Sequence, residues 1–549
     1  MASELEAPPP ALPSSIGICL SGGGYRAAAF HLGALAYLDH VGLASSKLKA
    51  ISTVSGGTFT GARYALSRVA SLSFAEFFRD FYRDLIRFDL VELGLARLGT
   101  NPNPGPNPET RAQPDLIVAV AHVYAETFFR SGDGSTHLFG EILDADIDIE
   151  ELAFNATEFR HGIAFRFQKS AKGRIGNGRI SIRSEDAAKI RLADIVAASS
   201  CFPGGFEPLA FPDDFVWPGG TIPEEVERSV AKRGEGPIAL MDGGIYDNQG
   251  IESLLLADER RDTDLDMFII SDVDQPSDDM YPFPEEETAT GMTVGALNLA
   301  ARALMIACAV TAVIQGAGAW DALRAGSFTF WDFFRYIIPT TLAGLTAYVL
   351  WWTRRTIRKE MGRIPSVGRA AWEDLRKLRL GQLVGMVRLR ITSLFAMASS
   401  IFMARVRALV YGRIYRDERY QHRRVSNLIY DLLPSRRFFF EDRPDIPKPS
   451  TALGRVVTVA VETPTTLWFE KGKPYQLPCL VAAGQATLCY NLMKFVTRRF
   501  GSDPKSYPDD VADFWNKLVT DWSAMVADPY ALLEPLWSKA RPRPPEADA

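Results

Sequence analysis

Three short stretches carry residues that could act together on an ester. The first is Ser21-Gly22-Gly23-Gly24-Tyr25-Arg26, which joins an apolar run to a helix-compatible one. Glycines at such a junction let backbone N–H groups turn toward one point, and the following helix N-terminus adds a field that favours negative charge. This suits a phosphate or the oxyanion of an acyl-transfer intermediate. The dinucleotide pattern G-x-G-x-x-G is not met, because Ala27 stands where a glycine is required, and no Lys-Ser/Thr of a phosphate loop follows. The second stretch, Thr53-Val54-Ser55-Gly56-Gly57, puts a serine on a tight turn between small residues, as a strand-to-helix nucleophile elbow needs. The third, Met241-Asp242-Gly243-Gly244-Ile245-Tyr246-Asp247-Asn248, puts a carboxylate at the end of the apolar run 237–241. Taken singly, the first is ambiguous and the other two read first as turns. Together they supply a nucleophile, a base and pre-placed donors. Histidine is the usual base, but the chain has only His31, His40, His122, His137, His161 and His422, and His422 alone follows Asp242. A carboxylate acting directly on Ser55 is the economical alternative.

These residues need elements to hold them. A strand is expected at Ile16–Leu20, a helix from about Tyr25 to His40, a strand at Ala50–Val54 and a helix from near Thr58. Strand-turn-helix repeated in this way implies an α/β fold with a central, mostly parallel sheet. Further strands are expected at Gly162–Phe167, Ile238–Met241, Met267–Ile270 and Val456–Val461. The stretch 101–109, rich in Pro, Asn and Gly, reads as a loop. The chain has no internal repeat.

A glycine-rich loop, a serine elbow about thirty residues further on and a distant Asp-Gly-Gly form an order that resembles the patatin-like phospholipases, including their cytosolic phospholipase A2-like branch. The resemblance implies a three-layer α/β fold and a Ser–Asp dyad without histidine. Carried over, Ser55 is the nucleophile, Asp242 its base, and N–H groups of Gly22, Gly23 and Gly24 form the oxyanion hole. Arg26, Gly57, Gly243 and Gly244 support them, and Asn248 matches the asparagine after the family's Asp-Gly motif. The stretch 198–204 resembles a family segment at a helix end near the site, and Leu477-Pro478 with Ala482-Ala483-Gly484 the family's last helix. The sequence departs from the family at Ser21, where plant patatins have Asp, at Ala27, and at Thr53, which replaces the elbow glycine. The implied reaction is two-step acyl transfer on a lipid ester, of phospholipase A type, with no metal or other cofactor. A neutral-lipid lipase or transacylase, and a catalytically weak scaffold of the same fold, stand as alternatives.

Composition sets the wider frame. The chain has 549 residues, of which 47% are hydrophobic and 23% charged, as in a globular protein. Five cysteines, an odd number mostly in apolar surroundings, read as reduced buried thiols, and no Cys/His cluster has zinc-ligand spacing. The net charge is only −5, yet residues 354–424 hold 18 Lys and Arg against 5 Asp and Glu. That basic segment suits an anionic surface. It lacks a nucleic-acid-binding module, and the apolar runs beside it favour lipid, so no nucleic acid is expected.

Two such runs stand out, Ala303–Trp320 and Tyr336–Trp352, flanked by Trp320, Trp331, Trp351 and Trp352 and followed by Arg354, Arg355, Arg358 and Lys359. Their length and flanks fit a membrane hairpin over 303–352 with its ends on the cytoplasmic side. In-plane docking and a buried helix pair are the alternatives, and Ile391–Ala404 is short enough to lie in the interface. The expected organisation is a leader over 1–14, a catalytic domain over 15–275, a helical insertion over 276–450, the rest of the catalytic domain over 451–525, and a Pro-rich tail over 526–549. The leader has no apolar core of a signal peptide. A phospholipid membrane and lipid substrate are the expected partners, at the cytoplasmic side of a membrane, and a homo-oligomer is left open.

Overall fold

The computed structural model describes residues 11–100, 115–232, 236–262, 264–274, 291–362, 377–397 and 401–537. The expected loop at 101–109, the leader before residue 11 and the tail after 537 lie outside them. The chain divides into two compact units, one of Met1–Ser277 with Phe402–Ala549 and the other of Asp278–Ile401.

The first unit is built on one sheet. Its strands are β1 (Ile16–Leu20), β2 (Leu48–Val54), β3 (Glu151–Glu158), β4 (Ile163–Lys169), β5 (Ile175–Gly176), β6 (Ser181–Ile182), β7 (Leu209–Phe211), β8 (Ile238–Asp242), β9 (Met267–Asp272) and β10 (Arg424–Leu428). The order β10-β9-β1-β2-β3 is parallel throughout, and β4, β5, β6, β7 and β8 extend it by antiparallel pairing. The central strands are buried along their whole length, which is why they read as short continuous apolar runs.

Helices cover this sheet. They include α1 (Gly24–His40), α2 (Gly56–Val69), α3 (Leu192–Ser200), α4 (Gly244–Asp247) and α5 (Ile251–Arg260). Near the C-terminus come α10 (Thr451–Glu462) and α11 (Gln476–Phe500). α1 is buried from Gly24 to Leu38. Its tightest crossing is with α11, where a Cβ on Gly33 would lie 2.1 Å from the Val481 carbonyl and one on Gly484 would lie 2.2 Å from that of Phe30. Only two facing glycines permit that approach.

Two expectations need correction. Val456–Val461 is helical, inside α10. Its β-branched residues suit a strand in isolation, but Ser450 caps Leu453 N–H at 3.2 Å, and the apolar face of the helix is buried in the core. The insertion ends at Ile401 rather than near 450. Residues from Phe402 onward rejoin the first unit, where the tail of the basic segment supplies edge strand β10. β3 is a further strand outside those expected, and it carries no period-2 pattern because all eight residues of Glu-Leu-Ala-Phe-Asn-Ala-Thr-Glu are buried.

The second unit is helical. α6 (Val294–Arg324) and α7 (Ile338–Gly362) pack against each other, and α8 (Leu380–Ala396) follows. α9 (Phe402–Tyr415) already belongs to the first unit. Helical structure runs over Val294–Arg324 and Phe330–Thr356 with mean hydropathy 2.0 and 1.3, and the apolar windows of both are 0% buried. Met305 and Ile306 face Trp351 at one end of the pair, and Gly318 faces Tyr336 at the other, so the two helices run antiparallel. α11 is also long and apolar, but its window is 94% buried, as a core helix should be.

Candidate active site

Ser55 follows the last residue of β2 and has φ 50° and ψ −119°. That backbone region disfavours side chains and costs on the order of 1–3 kcal/mol, which the surrounding contacts must offset. They are specific. The Ser55 N–H donates to Ser199 Oγ at 3.0 Å, and Ser199 Oγ donates to the Asn155 carbonyl at 2.7 Å. Thr58 Oγ1 lies 2.8 Å from the same hydroxyl. Asn155 in turn holds β2 through Nδ2, which donates to Ser52 Oγ and to the Thr53 carbonyl, each at 2.9 Å. Thr53 itself sits 3.0 Å from Thr58, so the residue in place of the elbow glycine braces the first turn of α2. Gly57 lies in that turn, packed against the Leu20 carbonyl.

Register brings Asp242 to this serine. β4 occupies one edge of β3 from Leu152 to Glu158. β2 fills the other edge as far as the Val54–Asn155 pair, and β8 takes over from Ala156, paired with Asp242. β2 and β8 run in opposite directions along that shared edge, so their C-terminal ends meet. Ser55 leaves one end and Asp242 closes the other. The Ser55 side chain neighbours the Asp242 carboxylate and favours its charged form, and Oδ1 accepts the Gly244 N–H at 2.7 Å. Both residues are buried. Burial pushes the Asp242 carboxyl up to about 6, against the Ser55 side chain and the Gly244 N–H, which favour its charged form. Gly243 packs on the Asn155 carbonyl.

The glycine turn lies against the same point, since a Cβ on Gly22 would sit 3.1 Å from Ser55 Cβ and 2.4 Å from Asn248 Oδ1. The Gly22 N–H donates to the Asn248 carbonyl at 2.9 Å. Of the three expected donors, Gly22 is thus already engaged, while the N–H groups of Gly23 and Gly24 make no hydrogen bond to the described residues. Gly24 has φ 56° and lies under the segment 463–466, where a Cβ would meet the Thr466 carbonyl at 2.3 Å. Tyr25 N–H donates to that carbonyl at 2.8 Å. Arg26 is buried and donates from Nη1 to the carbonyls of Val461 and Thr463, at 3.2 and 3.1 Å. Its guanidinium, brought down to about 10 by burial, sits at the carbonyl end of α10, where the helix dipole favours a cation.

Sequence reasoning missed several of these residues. Ser199 lies within the stretch 198–204, but nothing local marks it as the acceptor for the elbow amide. His31, one of the six histidines, is a structural link. Its Nε2–H donates to the Ser21 carbonyl at 3.0 Å and its Nδ1 accepts from Ser271 at 2.9 Å, with Asn427 donating to the same hydroxyl at 2.9 Å. Burial lowers its pKa to about 4, so it stays neutral. Ser21 Oγ accepts the Val273 N–H at 3.1 Å, which ties the glycine turn to the end of β9.

The site thus brings together a serine on a strained turn, a buried carboxylate and two backbone N–H groups without a partner among the described residues. Residues 18–255 match the family model described as Patatin-like phospholipase. Residues 18–255 of the α/β unit therefore form a patatin-like phospholipase domain. No curated protein matches it significantly.

Proposed function

We propose that this protein is a membrane-associated lipid acyl hydrolase of phospholipase A type, in which Ser55 and Asp242 form the catalytic dyad. The family supports a lipid acyl hydrolase in general terms. The observation that carries the finer reading is the register on β3 that sets the ends of β2 and β8 together, Ser55 following one and the buried Asp242 closing the other. A carboxylate is a weak base, and desolvation raises its proton affinity toward neutral pH. Asp242 takes the hydroxyl proton as Ser55 Oγ attacks the ester carbonyl carbon. The carbonyl oxygen becomes an oxyanion, and Gly23 and Gly24 donate to it. When the C–O bond breaks, the proton passes from Asp242 to the leaving alcohol. Water then attacks the acyl-enzyme, with Asp242 again as base, and fatty acid is released.

The second unit supports action at a bilayer. Large apolar side chains such as Leu299, Val313, Ile314 and Trp331 are exposed on the α6–α7 pair. A soluble protein rarely exposes an apolar surface of that extent. At roughly 1.5 Å per residue, helical stretches of 31 and 27 residues exceed a hydrocarbon core of about 30 Å. The buried α11 is the contrast within one chain. Arg354 and Arg355 at the end of the second run favour a cytoplasmic location for both hairpin ends.

The test is fatty-acid release from mixed phospholipid vesicles by the full chain, beside Ser55→Ala and Asp242→Asn. Loss of at least about a thousandfold in both variants is expected. Absence of release by the wild type, together with no labelling of Ser55 by a fluorophosphonate probe, would move the reading to a non-catalytic scaffold. Labelling with release only from triacylglycerol would move it to a neutral-lipid lipase.

A further inference from the structure

On one side the sheet ends in β10, an edge strand flanked by α9, whose Tyr415 hydroxyl pairs with Ser426, and by α11, which packs along it. Four cations gather around that edge: Arg424 at the start of β10, Lys494 and Arg498 on α11, and Arg436 from the segment after β10. Three of them rest on aromatic rings. The Arg424 guanidinium lies 3.9 Å from the Tyr415 ring centroid and that of Arg436 4.6 Å from the Tyr430 centroid, while Lys494 Nζ lies 5.0 Å from the centroid of Tyr490. Arg424 and Lys494 are half-buried, and Arg436 and Arg498 are exposed at the rim.

These groups are short of counterions. None of the four forms a salt bridge with a described residue. Asp431 acts on Lys494 and Arg436, but it already accepts from Asn491 Nδ2 at 2.9 Å and from the Leu428 N–H at 3.3 Å. Arg424 donates from Nη1 to the Ile414 carbonyl at 2.8 Å, whereas its Nε is buried without a hydrogen-bond partner. A buried charged donor left unmatched is costlier than a neutral one. Burial lowers the Lys494 pKa, and Arg498 lowers it further against the pull of Asp431. An anion among these side chains would match the open donor and remove the repulsion.

The side chains also select the anion. Arginine forks take phosphate oxygens in pairs, and lysine adds a point charge. A phosphate monoester brings about two negative charges at neutral pH, which suits four cations beside one engaged carboxylate better than a carboxylate ligand does. Nucleic acid fits poorly, since stacking of bases needs open ring faces. Tyr415 has Arg424 on its ring and the Tyr411 ring 4.4 Å away, and Arg436 covers Tyr430. We propose that the sheet edge between α9 and α11 binds a phosphate monoester, soluble or on a lipid headgroup, through Arg424, Lys494 and Arg498, with Arg436 at the rim. None of these residues belongs to the dyad, so the inference stands apart from the catalytic reading.

The test is calorimetric titration of the full chain, held in phosphatidylcholine nanodiscs, with inorganic phosphate. Salt is kept at about 0.15 M, where diffuse surface charge is screened beyond about 8 Å. Saturable binding of one phosphate per chain is expected, with Kd on the order of 1 mM or below. The double variant Lys494→Gln, Arg498→Gln should bind about tenfold more weakly, since it loses two charge-assisted partners. Arg424→Lys, which keeps the charge but not the fork, should also weaken binding by several-fold, on the order of one hydrogen bond to a charged group. A wild-type thermal midpoint reports that each variant is folded. Discs that also carry phosphatidic acid, a monoester, or phosphatidylglycerol, a diester, separate the two sources. Loss of phosphate binding with phosphatidic acid alone assigns the site to a lipid headgroup, and binding kept with both lipids assigns it to a soluble ester. No saturable binding, or an affinity unchanged in both variants, would overturn the proposal.

Discussion

A carboxylate can take a serine proton near neutral pH only where its own proton affinity is raised, and burial does this to Asp242, whose pKa moves from 3.8 to about 6. Hydrolysis should therefore rise with pH through about 6, with a limb that disappears when kcat/KM of Asp242→Asn is followed over the same range. The same shift has a consequence for stability. A folded-state pKa above the unfolded value favours folding below the unfolded pKa, and the advantage is lost as pH rises through about 6. At pH 8 the buried ionised carboxylate opposes folding by about 3 kcal/mol, at roughly 1.4 kcal/mol per pKa unit. Asp242→Asn is thus expected to raise the thermal midpoint at pH 8 while leaving it almost unchanged at pH 4. A variant less stable than wild type at pH 8 would contradict this. Ser199 acts through Ser55, as the acceptor for its N–H at 3.0 Å. Ser199→Ala leaves that buried donor unmatched, at about 1–3 kcal/mol. We expect kcat to fall by about tenfold to a hundredfold with KM little changed, a split that steady-state kinetics on a soluble ester would resolve.

At the scale of elements, the glycine turn is held from above by the C-terminal part of the chain. Arg26 ties α1 to the end of α10, and Tyr25 N–H holds the Thr466 carbonyl over Gly24. α11 reaches α1 through the facing pair Gly33 and Gly484. Gly484→Val drives a branched side chain into the Phe30 carbonyl, nearly two turns from the helix start that frames the site. A destabilisation of about 3 kcal/mol is expected, seen as a lower denaturation midpoint with activity lost in proportion to unfolding. A variant with the wild-type midpoint would show that the helices can part at little cost.

At the scale of the whole molecule, the α/β unit closes on itself without the helical one. Arg407 pairs with Asp274 and also approaches Asp272 at 3.7 Å, so the chain leaving β9 and the chain entering α9 lie side by side. Replacing 278–401 by a short Gly/Ser linker should give a folded protein that hydrolyses a soluble ester at an unchanged rate. It should also lose vesicle binding in flotation and release of fatty acid from vesicles. Retention of vesicle hydrolysis would place membrane contact on the α/β unit instead.

Much of this was legible in the residues because it is local. The turn at Gly22-Gly23-Gly24, the elbow at Ser55, the Asp242-Gly243-Gly244 turn and the two long apolar runs each depend on side-chain size, backbone freedom and hydropathy within a few positions. Strands β1, β8 and β9 announced themselves as buried apolar runs for the same reason. What the tertiary structure decided depends on partners far away in sequence. β2 and β8 share one edge of β3, and this register sets Asp242 beside Ser55 across 187 positions of chain. The same distance effect hid Ser199, the cover at 463–466, and β10 at the sheet edge. It also turned Val456–Val461 into helix, since burial against the core outweighs the weak strand preference of β-branched residues. Local patterns fix which conformations are cheap, and packing between distant segments fixes which of them are used.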